Sequence, residues 1–346
     1  MTRKNIYRRS FLKKCGLMFS SFFFYKFLYG NVLIYNHPKN MNFKPSYLKL
    51  YEKGQLKKIG EELWDIMRSC TLCPRSCQVN RVKGEIGRCG AANKLMISSY
   101  HPHFGEERPL VGKNGSGTIF FTHCSLRCVF CINWEISHKG IGKECTIGEL
   151  AQMMLTLQKW GCHNLNLVTP THYLPYIIFA LNVAIPKGLN LPIVYNTHGY
   201  EHLEIIKKLK DVVDIYMPDF KYFDNKNSGK YSAGAFDYPE KVRNAILEMH
   251  SQVGVAKPDK DGLLRRGLII RHLVMPNNVA GSKDIIKWIY ENLPEDTYVN
   301  IMSQYQPVFR AKEFPEISRS ITKNEYYEVV NYALNLGLTN LDIQGY

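Results

Sequence analysis

The stretch FFTHCSLRCVFCINWEIS, Phe120 to Ser137, spaces three cysteines, Cys124, Cys128 and Cys131, as C-x3-C-x2-C directly behind an apolar run. Closed zinc sites and most iron–sulfur sites take four protein ligands. Three thiols in one loop therefore leave a coordination position for something else. The alternative reading of the same residues is a structural zinc loop that takes His123 or His138 as its fourth ligand.

Working outward from this loop, short apolar runs alternate with helix-length periodic segments. The runs are TIFF (118–121), LNLVT (165–169), PIVYN (192–196), VDIYM (213–217), LIIRHLVM (268–275) and YVNIM (298–302). Helical spacing falls at 147–160, 173–187, 201–210, 239–252, 282–292 and 323–336, and also upstream at 47–69. Strand–helix alternation predicts parallel strands joined by crossover helices, as an incomplete barrel or a doubly wound sheet. In such folds ligands and reactive groups collect at the C-terminal ends of the strands. The cysteine loop leaves the first strand at that end.

A second group, Cys70, Cys73, Cys77 and Cys89, lies in CTLCPRSC and RCG, with Gly84, Gly87 and Gly90 allowing tight turns. Four thiols in one short segment read as a closed metal site. Zinc and a second iron–sulfur cluster both fit, and two disulfides are the non-metal alternative. Cys15, Cys145 and Cys162 are isolated and read as ordinary thiols. With seven of the ten cysteines in metal-like groups, the chain is expected to mature in a reducing, cytoplasmic setting.

The 346 residues carry a net charge of +15 and are 45% hydrophobic, enough for a sizeable core. Seven of the Lys and Arg, and no acid, fall in residues 1–36, so the remainder carries +8. No Arg-rich stripe interleaved with aromatics appears, and nucleic acid is not an expected partner. In the N-terminus, Arg8-Arg9-Ser10-Phe11-Leu12-Lys13 resembles a twin-arginine export signal. The apolar run Gly16 to Tyr35 is near the length of a membrane anchor, although Lys26 interrupts it and no A-x-A cleavage site follows. A basic tail lying on the cytoplasmic membrane surface is the third reading.

The cysteine spacing, with Phe130 before the third cysteine and Asn133 after it, resembles the radical S-adenosylmethionine (SAM) superfamily. The resemblance is closer to the glycyl-radical activases, notably pyruvate formate-lyase activating enzyme, and closer still to an uncharacterised branch of its homologues. It rests on CTLCPRSCQVNR, HFGEERPLVGKNGSGTIFF, NLVTPTHYLP, IVYNTHGYE, DIYMPDFKY, RGLIIRHLVMPN and YVNIMSQYQP, which run from Cys70 to Pro307. The resemblance implies a [4Fe–4S] cluster on Cys124, Cys128 and Cys131, with the amino and carboxylate groups of SAM on the open iron. Reductive cleavage of SAM then yields a radical that removes a hydrogen atom from the substrate.

The resemblance also implies a SAM pocket, with no catalytic residue assigned. Phe130 and Asn133 belong to it. The Gly-Gly-Glu element of activases is replaced by Val168-Thr169-Pro170-Thr171, where Thr169 is the substitute contact. Asn196 would meet the ribose, its alternative being a turn with Gly199. Asp219 and Lys221 match the Asp-x-Lys element, their alternative being a surface ion pair. Arg271 would grip the SAM carboxylate, and Gln304 would lie near the adenosyl group. His272 and Met302 read as core, whereas His172 and His198 follow strand ends and could face the barrel mouth.

The expectation is therefore a radical SAM oxidoreductase on a partial (β/α)6 TIM-like barrel at 116–346. A helical, cysteine-rich module at 37–115 and the signal-like or membrane-associated segment 1–36 precede it. The expected reaction is activase-like hydrogen abstraction from a glycine of an unidentified protein, with flavodoxin or ferredoxin as electron donor. The alternatives are radical modification of another protein or small molecule, and an iron–sulfur electron-transfer or metal-binding protein without SAM turnover.

Overall fold

The computed structural model describes residues 43–345. The export-signal and membrane readings of 1–36, and Cys15, lie outside the described residues. Among the described residues no helix is long and apolar enough to cross a membrane.

Among the described residues nine strands form one sheet: β1 Met96–His103, β2 Ser116–Phe121, β3 Lys143–Glu144, β4 Leu165–Val168, β5 Ile193–Thr197, β6 Ile215–Pro218, β7 Gly267–Leu273, β8 Tyr298–Met302 and β9 Leu341–Ile343. Their order is β3-β1-β2-β4-β5-β6-β7-β8-β9. From β2 to β9 every pairing is parallel, the arrangement of a partial barrel. The six strands expected from the apolar runs are all present, and so are the helices between them. Helix starts are locally encoded: Thr146 with Glu149, and Thr322 with Glu325, form reciprocal capping boxes.

The structure departs from the sequence reading in the split of one helix and in added strands, β3 among them. The helix expected over 47–69 is two helices, Tyr47–Glu52 and Gln55–Ile66, because Gly54 takes a left-handed conformation (φ 70°) between them. β1 was not expected, since MISSYHPH is polar and contains Pro102; it pairs antiparallel with β2, His103 opposite Ser116. β9 adds a seventh parallel strand beyond β8. The helix Tyr47–Glu52 is pinned to the sheet by Ser46 N–H on Asp214 Oδ1 (3.1 Å) and by Tyr47 Oη on the Leu191 carbonyl (2.8 Å).

Alternation along the strands builds the interior in layers. Val194, Ile215, Met217, Ile269 and Tyr298 join Leu110, Ala256 and Leu264 in a small buried cluster distinct from the main core. Two residues on from Val194, Met217, Ile269 and Tyr298, the same face carries Asn196, Asp219, Arg271 and Asn300. An apolar floor thus gives way to a polar layer toward the C-terminal ends of the strands.

Candidate active site

The loop after β2 carries its thiols into a cavity of about 610 Å³. Its backbone takes positive φ at His123 (66°) and Arg127 (53°). Arg75 staples the loop from outside, donating to the carbonyls of Ser125 (2.8 Å), Leu126 (3.3 Å) and Ser232 (2.8 Å). Cys124, Cys128 and Cys131 all line the cavity, and none of the described cysteines is in a disulfide. Burial pushes the Cys124 thiol up to about 12 and the Cys128 thiol up to about 11. Hydroxyls stand ready for sulfur charge: Ser232 Oγ donates to Cys128 Sγ (3.0 Å), and Ser137 Oγ lies 3.2 Å from Cys131 Sγ. Lys221 adds a positive charge that favours the Cys128 thiolate. Buried thiols with donors and a cation beside them fit an anionic iron–sulfur cluster, which desolvated thiols alone would disfavour. Among the described residues no three His, Cys, Asp or Glu side chains converge on a single ion. The zinc alternative has His138 turning its Nε2 to the Cys128 carbonyl (3.1 Å).

Phe130, Asn133, Thr169, Asn196, Asp219, Lys221, Arg271 and Gln304 line this same cavity. Phe130 is buried against Tyr222 and Tyr305 (ring centroids 6.2 and 5.7 Å apart). Thr169, at the end of β4, has φ 56°, and its N–H donates to the Asn196 carbonyl (2.9 Å). Asp219 and Lys221 pair with each other at 2.7 Å, their side chains under a fifth exposed, so they are not a surface pair.

Arg271 differs most from the sequence reading. Its guanidinium is held by Glu106, by both oxygens of Glu107 (2.6 Å each) and by Asn196 Oδ1 (3.4 Å). Most of its donors are therefore already used within the chain. Burial pushes the Glu107 carboxyl up, but Arg271 and a hydrogen bond from Asn300 Nδ2 (2.8 Å) outweigh it and hold the group below its usual range. Glu106 and Glu107 carry no motif that marks them in sequence, and Asn300 is a lone polar residue within the strand YVNIM. Only packing brings them inside.

The histidines divide. His198 lines the cavity; its Nδ1 accepts from Tyr200 N–H (3.1 Å), which leaves the Nε2 proton for Ser125 Oγ (3.0 Å). Burial, with Lys221 and Arg75 nearby, lowers it to about 3, so the ring is neutral. His172 is buried away from the cavity wall and binds the Thr122 carbonyl through Nε2 (2.7 Å). His272 is buried between the Phe220 carbonyl and Ser282 Oγ (2.8 Å each). Met302 faces the cavity rather than the core. Behind β5, buried Glu201 accepts from the hydroxyls of Thr171 (2.7 Å), Tyr195 (3.3 Å) and Thr197. With no cation beside it, burial pushes its carboxyl up to about 7.

The upstream cysteines are gathered in one loop. Cys70, Cys73 and Cys89 are buried and Cys77 is partly so. A Cβ at Gly87 would meet the Cys89 and Cys77 sulfurs at 3.4 and 3.5 Å, so these two thiols share one small space. The disulfide alternative is not what the structure has. Arg81 is fully buried beside this group, yet it donates only to the carbonyls of Ala92 and His172. The two cysteine groups meet where Cys124 N–H points at the Cys89 carbonyl (3.4 Å).

Comparison with known proteins matches residues 118–253 to the radical SAM superfamily. The chain is similar to an uncharacterised protein of Methanocaldococcus jannaschii, 35% identical over 291 residues, covering 81% of this chain and 77% of that one. It is 26% identical over 184 residues to the pyruvate formate-lyase-activating enzyme of Clostridium pasteurianum, covering 49% of this chain and 76% of that protein. Among solved structures, methylornithine synthase aligns over 86% of this chain and 85% of its own, with 14% identity and a TM-score of 0.39.

Proposed function

Because the chain belongs to the radical SAM superfamily, we propose that it cleaves SAM reductively and abstracts a hydrogen atom from a glycine of a partner protein, as an activase does. The observation that carries this reading is the convergence of the three-cysteine loop and all eight expected SAM residues on one cavity. A [4Fe–4S] cluster on Cys124, Cys128 and Cys131 supplies the electron for SAM cleavage when bound.

The chain's own residues do the rest. Ser232, Ser137 and Lys221 support negative charge on the sulfurs. Phe130, Tyr222 and Tyr305 keep water from the inner wall, which protects radical chemistry from side reactions. Asp219 holds Lys221 in place by their ion pair. Thr169, Asn196 and Gln304 offer polar contacts to the nucleoside, and neutral His198 offers no competing charge.

The upstream group reads as an anionic four-thiolate metal centre, zinc or a second iron–sulfur cluster, with Arg81 as its counter-charge. Arg81 donates to backbone carbonyls, and its charge favours the Cys89 thiolate. A cytoplasmic setting with flavodoxin or ferredoxin as reductant suits a chemistry that depends on reduced iron. The cavity's volume of about 610 Å³ favours, as a second reading, modification of a side chain or small molecule that reaches inside.

The test is anaerobic. Reconstituted protein is given dithionite and SAM, and 5′-deoxyadenosine is measured. A co-purifying protein is then examined for a glycyl radical by electron paramagnetic resonance. No 5′-deoxyadenosine from cluster-loaded protein would overturn SAM cleavage, and product without a glycyl radical would favour the second reading.

A further inference from the structure

We infer that the inner end of the cavity receives a cationic N–H donor of the substrate, a primary ammonium or a guanidinium, on Glu106 and Asn300 with Glu107 behind them. The inference rests on the radical SAM reading and adds the substrate class.

Topology sets this end apart from the cysteines. β1 runs antiparallel to β2, so the segment after His103 starts at the N-terminal end of β2, whereas the cysteine loop leaves its C-terminal end. Lys221 feels the charge of Cys128, and Arg271 feels that of Asp219, so the two ends share one wall of the cavity.

The charges there do not balance. One guanidinium, that of Arg271, serves two carboxylates whose side chains are 7% (Glu106) and 0% (Glu107) exposed. Lys221 is committed to Asp219 at 2.7 Å. Arg108 is exposed, and His103, a third exposed, has its Nε2 4.0 Å from Glu106 Oε1, beyond hydrogen-bonding reach. With the His103 ring neutral, one buried negative charge is left over, an expensive state without a partner.

An independent orphan points the same way. Asn300 is 4% exposed and lines the cavity; its Nδ2 is fixed on Glu107, and its buried Oδ1 has no donor. The Glu107 oxygens are taken by Arg271 and Asn300, and Glu106 Oε2 by Arg271. What remains is one carboxylate oxygen, Glu106 Oε1, and one amide oxygen. A hard metal cation takes six or more oxygens and would have to bring most of them as water, and among the described residues no three His, Cys, Asp or Glu side chains form a metal-holding group. The two oxygens suit a cationic group with several N–H donors.

The experiment uses reconstituted, cluster-loaded protein under anaerobic conditions. SAM binding by the parent is measured first. If SAM does not bind, the radical SAM reading fails and takes this inference with it. With SAM bound, calorimetric titrations compare n-butylammonium with n-butanol, and a terminally blocked Gly-Lys-Gly peptide with its norleucine counterpart. The expected result is a preference of about tenfold or more for the charged member of at least one pair, the worth of one charge-assisted hydrogen bond. A preference confined to the peptide pair assigns the cation to a protein side chain; one shown by n-butylammonium assigns it to a free amine. Glu106→Gln should erase the preference. His103→Lys should erase it too, by tethering an ammonium onto Glu106 without removing a carboxylate, which keeps the test open if Glu106→Gln misfolds. Equal binding of charged and neutral probes by SAM-loaded parent protein, or a preference untouched in the folded variants, would overturn the inference and leave the SAM reading standing.

Discussion

Replacing Arg271 by Met should destabilise the protein in a way that depends on pH. The guanidinium is 14% exposed and holds the fully buried Glu107 side chain by paired 2.6 Å contacts, with Glu106 beside it. Removing it strands buried carboxylates, which costs about 3–5 kcal/mol, whereas breaking an exposed pair costs at most about 1 kcal/mol. In the parent, burial raises the Glu107 carboxyl but Arg271 and Asn300 prevail and lower it. Its contribution is therefore present above the unfolded value of about 4.3 and fades as pH falls through the folded value. Without Arg271, burial acts with little opposition and the folded value rises above the unfolded one. The variant then keeps its stability below about pH 4.3 and loses it as pH rises. The gap between parent and variant should thus be widest near neutrality and narrow toward pH 5. Anaerobic urea unfolding of both proteins at pH 5 and 7.5 measures it. The double variant Arg271→Met/Glu107→Gln should recover a large part of the loss at pH 7.5. A neutral-pH cost under about 1 kcal/mol, unchanged at pH 5, would refute the buried-cluster reasoning.

Three further outcomes are expected. Changing any one of Cys124, Cys128 or Cys131 to Ala should abolish 5′-deoxyadenosine formation, and product from the triple variant would defeat the cluster assignment. That triple variant should still bind metal at Cys70, Cys73, Cys77 and Cys89, read by elemental analysis for iron and zinc, and Arg81→Gln should lower the amount retained; finding neither metal would remove the second centre. Glu201, raised by burial to about 7, favours folding below its unfolded value near 4.3 and loses that contribution as pH rises through 7. Glu201→Gln should flatten this slope, worth up to about 3 kcal/mol, in unfolding curves taken from pH 4.5 to 8; a slope equal to the parent's would place the titration elsewhere.

What the sequence alone determined was local and periodic. Cysteine spacing, the six apolar runs and the helices between them depend on near neighbours, and the structure has them at nearly the same residues. Alternation then carried Asn196, Asp219 and Arg271 to the inner face, because a strand has only two faces. β1 and β9 escaped because polar or very short strands gain their place from a neighbouring strand's open edge, not from a pattern of their own. His172 and His198 look alike in sequence, each just beyond a strand, yet only His198 lines the cavity; the turn that follows each strand decides where the ring goes. The contact that reshapes the reading of the site joins Arg271 to Glu106, 165 residues apart. Burial turns an unremarkable pair of acids into a buried charge cluster, and burial is a property of the folded chain as a whole. Whether a charge is solvated, paired or left wanting is therefore decided only when distant segments close around it.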